Sequence, residues 1–311
     1  MSGMRHAGPP SLTRDDLPGT RRPTPHRMID MTLRTRRFRA PGQPALAYDT
    51  TGDGETVIFL HGIGGNRTNW RRQLPVLARA GFRAIAWDAR GYGASQDYDG
   101  PLEFSEFSAD LARFLDHLHV DRAHFVGLSM GGRILQDFHA RHAERILTLT
   151  LCATMPGFSR TVSREDREEF VRLRKQPLLE GRSPREMAPD VARTLLGPNA
   201  GPEQYAELVA SISAVHPESY IKTIEATAAH DQPVALADIA CPTLLLFGEA
   251  DTLARPQFGY RMHAEIPGSE FVLLPDTGHL LNIEQSDAFN RLVVDFLDRH
   301  RGRPSVSPAV I

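Results

Sequence analysis

The sequence predicts an α/β fold, a mostly parallel sheet of eight strands flanked by helices. Three observations carry that expectation. Short, continuously apolar runs such as "TVIFL" (56–60), "HFVGL" (124–128) and "TLLLF" (243–247) recur along the chain. Such runs suit strands buried on both faces of a parallel sheet. Between them lie helical patterns: Phe107, Leu111, Phe114, Leu115 and Leu118 recur at spacings near three and four, as do Phe289, Leu292, Val293, Phe296 and Leu297. Strand–helix alternation of this kind argues for helices covering both faces of one sheet. The third observation is an interruption, since residues 156–236 hold no convincing buried strand.

Taken in order, residues 1–30 are rich in Pro, Gly and Arg and lack the apolar run of a secretion signal. A disordered basic tail is expected there, with Met28 or Met31 as candidate alternative starts. The core is expected over 31–155 and 237–301. "MTLRTRRF" and "ALAYDTTGDG" read as two early strands, the second closed by a Gly/Asp turn. "TVIFL", "RAIAWD" (83–88), "HFVGL", "ILTLTLCA" (146–153), "TLLLF" and "EFVLLP" (270–275) supply six more. Within 156–236, "SREDREEFVRLRKQ", "SPREMAPDVARTLL", "PEQYAELVASISAV" and "PESYIKTIEATAA" read as helices, several opened by Ser or Pro. A helical insertion here is expected to form a cap or lid over the carboxyl ends of the strands, where ligands bind in α/β sheets. Residues 302–311 are expected to be a C-terminal tail.

Composition narrows the function. Of 311 residues, 41% are hydrophobic and 24% charged, as in soluble globular proteins. A formal net charge of −2 creates no field favouring nucleic acid or an anionic membrane, so neither is expected as a partner. No apolar run reaches membrane-spanning length. The arginines outnumber Lys175 and Lys222 by 34 to two, a bias that carries no functional reading. Cys152 and Cys241 sit in apolar stretches and read as buried free thiols of a reducing compartment. A cytoplasmic protein, monomeric or homodimeric, is expected.

The chemistry is concentrated in a few loops. Gly127-Leu128-Ser129-Met130-Gly131 matches G-x-S-x-G between a strand and a helix. A serine on so tight a turn projects its Oγ above the sheet, and glycines on either side avoid collision. The turn also sets Ser129 at a helix N-terminus, which favours developing negative charge. A serine needs a base to take its proton, and the base needs an orienting group. Among thirteen histidines, His279 alone follows a buried strand at the far end of the sheet, in "FVLLPDTGHLLN". His117, His119, His139 and His142 lie on helical stretches and read as surface or packing residues. Asp251, in "FGEADTLARP", is the chosen acid, with Glu249 and Asp276 as competitors. Acyl transfer also needs two N–H donors aimed at the oxyanion. Met130, after the serine, and Ile63, in "HGIGG", are the candidates. His61 reads as a structural loop histidine. No cluster has metal-ligand spacing, and no metal or cofactor is expected.

"LHGIGGN", "WDARGYGASQ", "GLSMGG", "FGEADTLARP" and "DTGHLLNIEQ" together resemble the α/β-hydrolase fold superfamily, in family order, from about residue 32 to residue 300. The resemblance implies an α/β-hydrolase sheet and a Ser-Asp-His triad, with Asp88 and Arg90 bracing loops near the site. "GLSMGG" with "GHLLNIEQSDAF" is similar to the 3-oxoadipate enol-lactonase and small carboxylesterase group, which implies a small-molecule ester or lactone substrate. Carbon–carbon bond hydrolases of meta-cleavage pathways resemble the chain too, but they carry Asn where Leu128 stands. A non-catalytic small-molecule-binding member of the fold is a third reading. Trp70 is a candidate for the acyl side of the pocket, or a packing residue. Arg133 is a candidate for a substrate carboxylate, or a solvated helix charge. Phe158, Phe170 and Tyr220 are candidates for shaping specificity from the lid.

Overall fold

Apolar continuity decides which strands lie inside. The computed structural model describes residues 34–157, 161–231 and 235–302. They form one eight-stranded sheet of β1 (Arg36–Ala40), β2 (Leu46–Thr51), β3 (Glu55–Leu60), β4 (Phe82–Trp87), β5 (Ala123–Leu128), β6 (Ile146–Cys152), β7 (Thr243–Gly248) and β8 (Glu270–Leu274). The spatial order is β1-β2-β4-β3-β5-β6-β7-β8. β2 pairs antiparallel with β1 and β4, and every other pairing is parallel. The expected eight-stranded, mostly parallel sheet is therefore the one observed. β5 and β7 are buried at every position, whereas the edge strand β1 is exposed at four of five. That polar edge limits pairing with other chains. The first strand starts later than "MTLRTRRF" suggested, and Met31–Leu33 lie outside the described residues. So do the expected N-terminal tail, Phe158 and all of the C-terminal tail after Gly302.

Helices α1 (Leu74–Arg79), α2 (Ser105–His117) and α3 (Met130–His142) precede β6. α4 (Arg164–Leu179), α5 (Pro184–Leu195), α6 (Pro202–Ser213) and α7 (Pro217–Ala229) fill the interruption in the strand pattern. α8 (Pro256–Glu265), α9 (Leu281–Glu284) and α10 (Ser286–Arg299) follow β7 and β8. The starts of the interrupting helices follow from their sequence. The Ser163 hydroxyl accepts the Asp166 N–H, Ser183 and Glu186 form a capping box, and proline occupies the first turn of α5, α6 and α7. α4 packs on α7, and α5 packs on α6.

The core is continuous through the sheet. Phe59, Phe125 and Phe247 on β3, β5 and β7 are fully buried, and each such side chain contributes roughly 1.5–3 kcal/mol. β3 lies between β4 and β5, so the chain runs outward from β3 to β4 and then crosses back to β5. That reversal opens a crevice at the carboxyl ends of β3 and β5. The loop after β4 is braced as expected. Buried Asp88 accepts N–H groups of Arg67 (2.6 Å) and Ala94 (2.7 Å), and Arg90 forks onto Asp110 at 2.6 and 2.9 Å.

Candidate active site

Ser129 ends β5 and opens α3 with φ 53° and ψ −112°. A non-glycine residue held there costs on the order of 1–3 kcal/mol, so its surroundings must fix it. The Ser129 N–H donates to Cys152 O at 2.8 Å, and its carbonyl accepts the Thr154 hydroxyl at 2.8 Å. The flanking glycines serve two different contacts. A Cβ on Gly127 would stand 2.6 Å from the Gly131 backbone, across the turn, while a Cβ on Gly131 would overlap Leu60 O on β3. The turn is thus wedged against the neighbouring strand as well as against itself.

The loops after β7 and β8 bring Asp251 and His279 together. His279 Nδ1 donates to Asp251 Oδ2 at 2.8 Å, with both residues buried. The other carboxylate oxygen accepts Leu253 N–H (2.8 Å) and Ala254 N–H (2.9 Å). Burial works against the Asp251 charge, but His279 and these two amides outweigh it and hold the carboxyl below its usual range. Glu249 and Asp276 do not reach the histidine. The Glu249 carboxylate instead accepts the Asp276 N–H at 3.3 Å. Ala250 N–H to Thr277 O, at 2.9 Å, ties the acid loop to the base loop.

Ser129 and His279 line one cavity of about 440 Å³, together with Ile63 and Met130. That volume suits a small ligand. No direct hydrogen bond joins Ser129 Oγ to the His279 ring among the described residues, and such contacts commonly tighten only around substrate. The N–H groups of Ile63 and Met130 have no acceptor among the described residues, as first-turn and loop amides often do not. His61 is structural: burial lowers its pKa, Nδ1 donates to Gly62 O (2.8 Å), and Nε2 accepts the Ala89 N–H (3.1 Å).

Two expected pocket residues are placed differently. Trp70 is fully buried and packs against Phe59 and Phe289 at centroid distances of 5.0 and 6.1 Å, away from the cavity wall. Arg133 does reach the wall but is not solvated. Its guanidinium donates to Thr227 O (2.6 Å) and His230 O (2.7 Å) at the end of α7, which engages the nitrogens that a carboxylate would need. Burial lowers its pKa to about 10. Sequence reasoning missed Arg174, which lines the cavity from α4, and Glu284, which sits beneath the His279 loop.

Comparison with known proteins follows the same lines. The family model for the alpha/beta hydrolase fold matches residues 55–286. A 2-hydroxy-6-oxononadienedioate/2-hydroxy-6-oxononatrienedioate hydrolase of Escherichia coli is 30% identical over 81% of this chain and 90% of its own. A thermophilic esterase from Thermogutta terrifontis, solved with malate bound, superposes with a TM-score of 0.77 at 30% identity, covering 86% of this chain and all of its own. The enol-lactonase from Burkholderia xenovorans LB400 gives 0.74 at 28% identity, covering 84% and 99%. No helix among the described residues is long and apolar enough to cross a membrane.

Proposed function

Because the chain belongs to the alpha/beta hydrolase fold family, we propose that it hydrolyses a small ester or lactone through an acyl-enzyme on Ser129. The observation that carries this reading is the Asp251–His279 pair at 2.8 Å on a cavity whose wall also holds Ser129. His279 takes the Ser129 proton as Oγ attacks the carbonyl carbon. The Ile63 and Met130 N–H groups hold the oxyanion. Collapse breaks the ester bond, and His279 returns the proton to the leaving oxygen. Water, deprotonated by the same ring, then releases the acid and restores Ser129. Asp251 keeps the proton on Nδ1 and stabilises the ring when charged. In this reading 31–155 and 237–301 form the catalytic core, and 156–236 forms a cap over it.

Labelling by a fluorophosphonate probe tests the proposal. Ser129 is expected to be modified, and the Ser129→Ala variant is expected to stay unlabelled. An unlabelled wild-type protein overturns it in favour of a binding member of the fold. The Escherichia coli relatives favour a second reading, hydrolysis of a carbon–carbon bond in a meta-cleavage-type diketone. Turnover of a vinylogous diketone, with none of p-nitrophenyl esters, simple lactones or an enol-lactone, would establish that reading instead.

A further inference from the structure

The cavity has a cation in its roof. Arg174 lies on α4 and lines the same cavity as Ser129. Its guanidinium carbon stands 3.8 Å from the Phe170 ring centroid, and one nitrogen donates weakly to Phe170 O at 3.3 Å. On the same helix Arg164, Arg172 and Lys175 each pair with a glutamate. Arg174 has no carboxylate within ion-pair distance among the described residues. Burial pushes its pKa below the ordinary value, with the Tyr220 phenol acting in the opposite sense. Tyr220, buried on α7, shares this wall, and its hydroxyl has no hydrogen-bond partner among the described residues. An acid elsewhere on the wall, Asp190, is already engaged by Arg193 at 2.9 Å. Phe170, Leu173, Met187 and Val191 make the rest of this end apolar.

An unpaired guanidinium side chain and a phenol on the wall of a largely apolar chamber are an incomplete polar constellation. A carboxylate completes it. The guanidinium offers two parallel N–H donors that match the two oxygens, and the apolar surroundings strengthen those bonds. A neutral ligand would leave the cation desolvated and unpaired, which works against its binding.

We propose that Arg174 and Tyr220 form a carboxylate-binding subsite in the cap, so that the substrate is an ester or lactone bearing an acid group remote from its scissile carbonyl. This rests on the hydrolase reading above for the word "substrate", but not for the subsite itself. Arg133 lines the same cavity, but two of its nitrogens are held by Thr227 O and His230 O at the end of α7.

The test has a binding arm and a kinetic arm, both on the full chain. In the first, the Ser129→Ala variant is titrated calorimetrically with monomethyl glutarate and monomethyl adipate, each against its dimethyl ester. A monoester is expected to bind at least tenfold tighter than its neutral counterpart. Arg174→Gln on that background should abolish the preference, and Arg174→Lys should keep part of it. Equal affinities, binding of neither form, or a preference that survives Arg174→Gln overturns the subsite. In the second arm, kcat/KM of the otherwise wild-type enzyme is measured on the same pairs. The anionic-to-neutral ratio is expected to fall by about tenfold to a hundredfold in Arg174→Gln, mainly through KM. A monoester preference in binding with no turnover of any ester rejects the hydrolase reading and leaves the subsite standing. Turnover at equal efficiency for charged and neutral esters does the reverse.

Discussion

The floor and the roof of the cavity are held by different means. On the floor each of these segments is tied to another: Ser129 to Cys152, Ala250 to Thr277, and Asp251 to His279, with the Asp251 carboxylate also held within its own loop by the amides of Leu253 and Ala254. Gly127, Gly131 and Gly248 stand where a methyl group has no room. In the roof α4 buries none of its residues, and its ion pairs are exposed. Pairs of that kind are screened by water and contribute little. Positional precision is therefore concentrated around Ser129, Asp251 and His279. The roof can change its side chains while the floor stays in place.

The largest expected effects come from breaking the floor. Ser129→Ala should lower kcat by a factor on the order of 10⁵–10⁶ while the protein still unfolds cooperatively. A loss under tenfold on p-nitrophenyl esters would remove Ser129 from the chemistry. Asp251→Asn is next, with kcat lower by a factor on the order of 10³–10⁴. It also has a pH signature. The Asp251 carboxyl is held below its usual range in the fold, so its charge stabilises the native state above the unfolded value of about 3.9. That stabilisation disappears as pH falls through the lower folded value. The urea-unfolding gap between wild type and Asp251→Asn should be full at pH 7 and close below about pH 4. A gap that stays constant down to pH 3 would mean that the charge stabilises nothing.

The same contrast explains what could be read from the sequence. The strand runs and the G-x-S-x-G turn are local signals, because a backbone that must take φ 53° at Ser129 forces small neighbours beside it. Asp251 was separable from Glu249 and Asp276 because its distance from the end of β7 suits a loop that reaches across to the next strand's loop. Trp70 was misplaced for a physical reason. The Asn66 capping box sets the turn Arg67–Trp70, and the indole then points down onto Phe59 and onto Phe289 from the far end of the chain. Nothing near residue 70 encodes that partner. Arg174 was illegible in "VRLRKQ" because its neighbours are solvated charges of the same type. Only the packing of α4 on α7 turns this one inward.

Glu284 joins floor to roof and sharpens the comparison at moderate cost. One carboxylate oxygen accepts Gly197 N–H (2.8 Å) and Gly278 N–H (2.9 Å), and the other accepts Leu280 N–H (3.0 Å). Gly197 follows α5 in the helical interruption of the strand pattern, while Gly278 and Leu280 flank His279. An amide cannot accept at both ends, so Glu284→Gln turns an NH₂ group toward an N–H donor. Stability is expected to fall by about 1–3 kcal/mol. If the residue positions the base, kcat should also fall about tenfold with little change in KM, because a small displacement of a catalytic group costs rate rather than binding. A loss of stability with kcat intact would confine Glu284 to holding the fold.

The smallest effect is expected at Leu173, and it tests the roof directly. The side chain is 55% exposed yet lines the cavity from α4. Leu173→Ala removes apolar surface that is already half in water, so stability should stay within about 0.5 kcal/mol of wild type. Its contact with substrate is equally partial. The kcat/KM ranking across p-nitrophenyl acetate, butyrate and octanoate should therefore shift by about threefold, with the longer chains losing most. kcat on the acetate should hardly move, because the floor does not depend on α4. If acetate turnover drops as far as octanoate turnover, the two regions are mechanically coupled, and the division between a fixed floor and an adjustable roof is wrong.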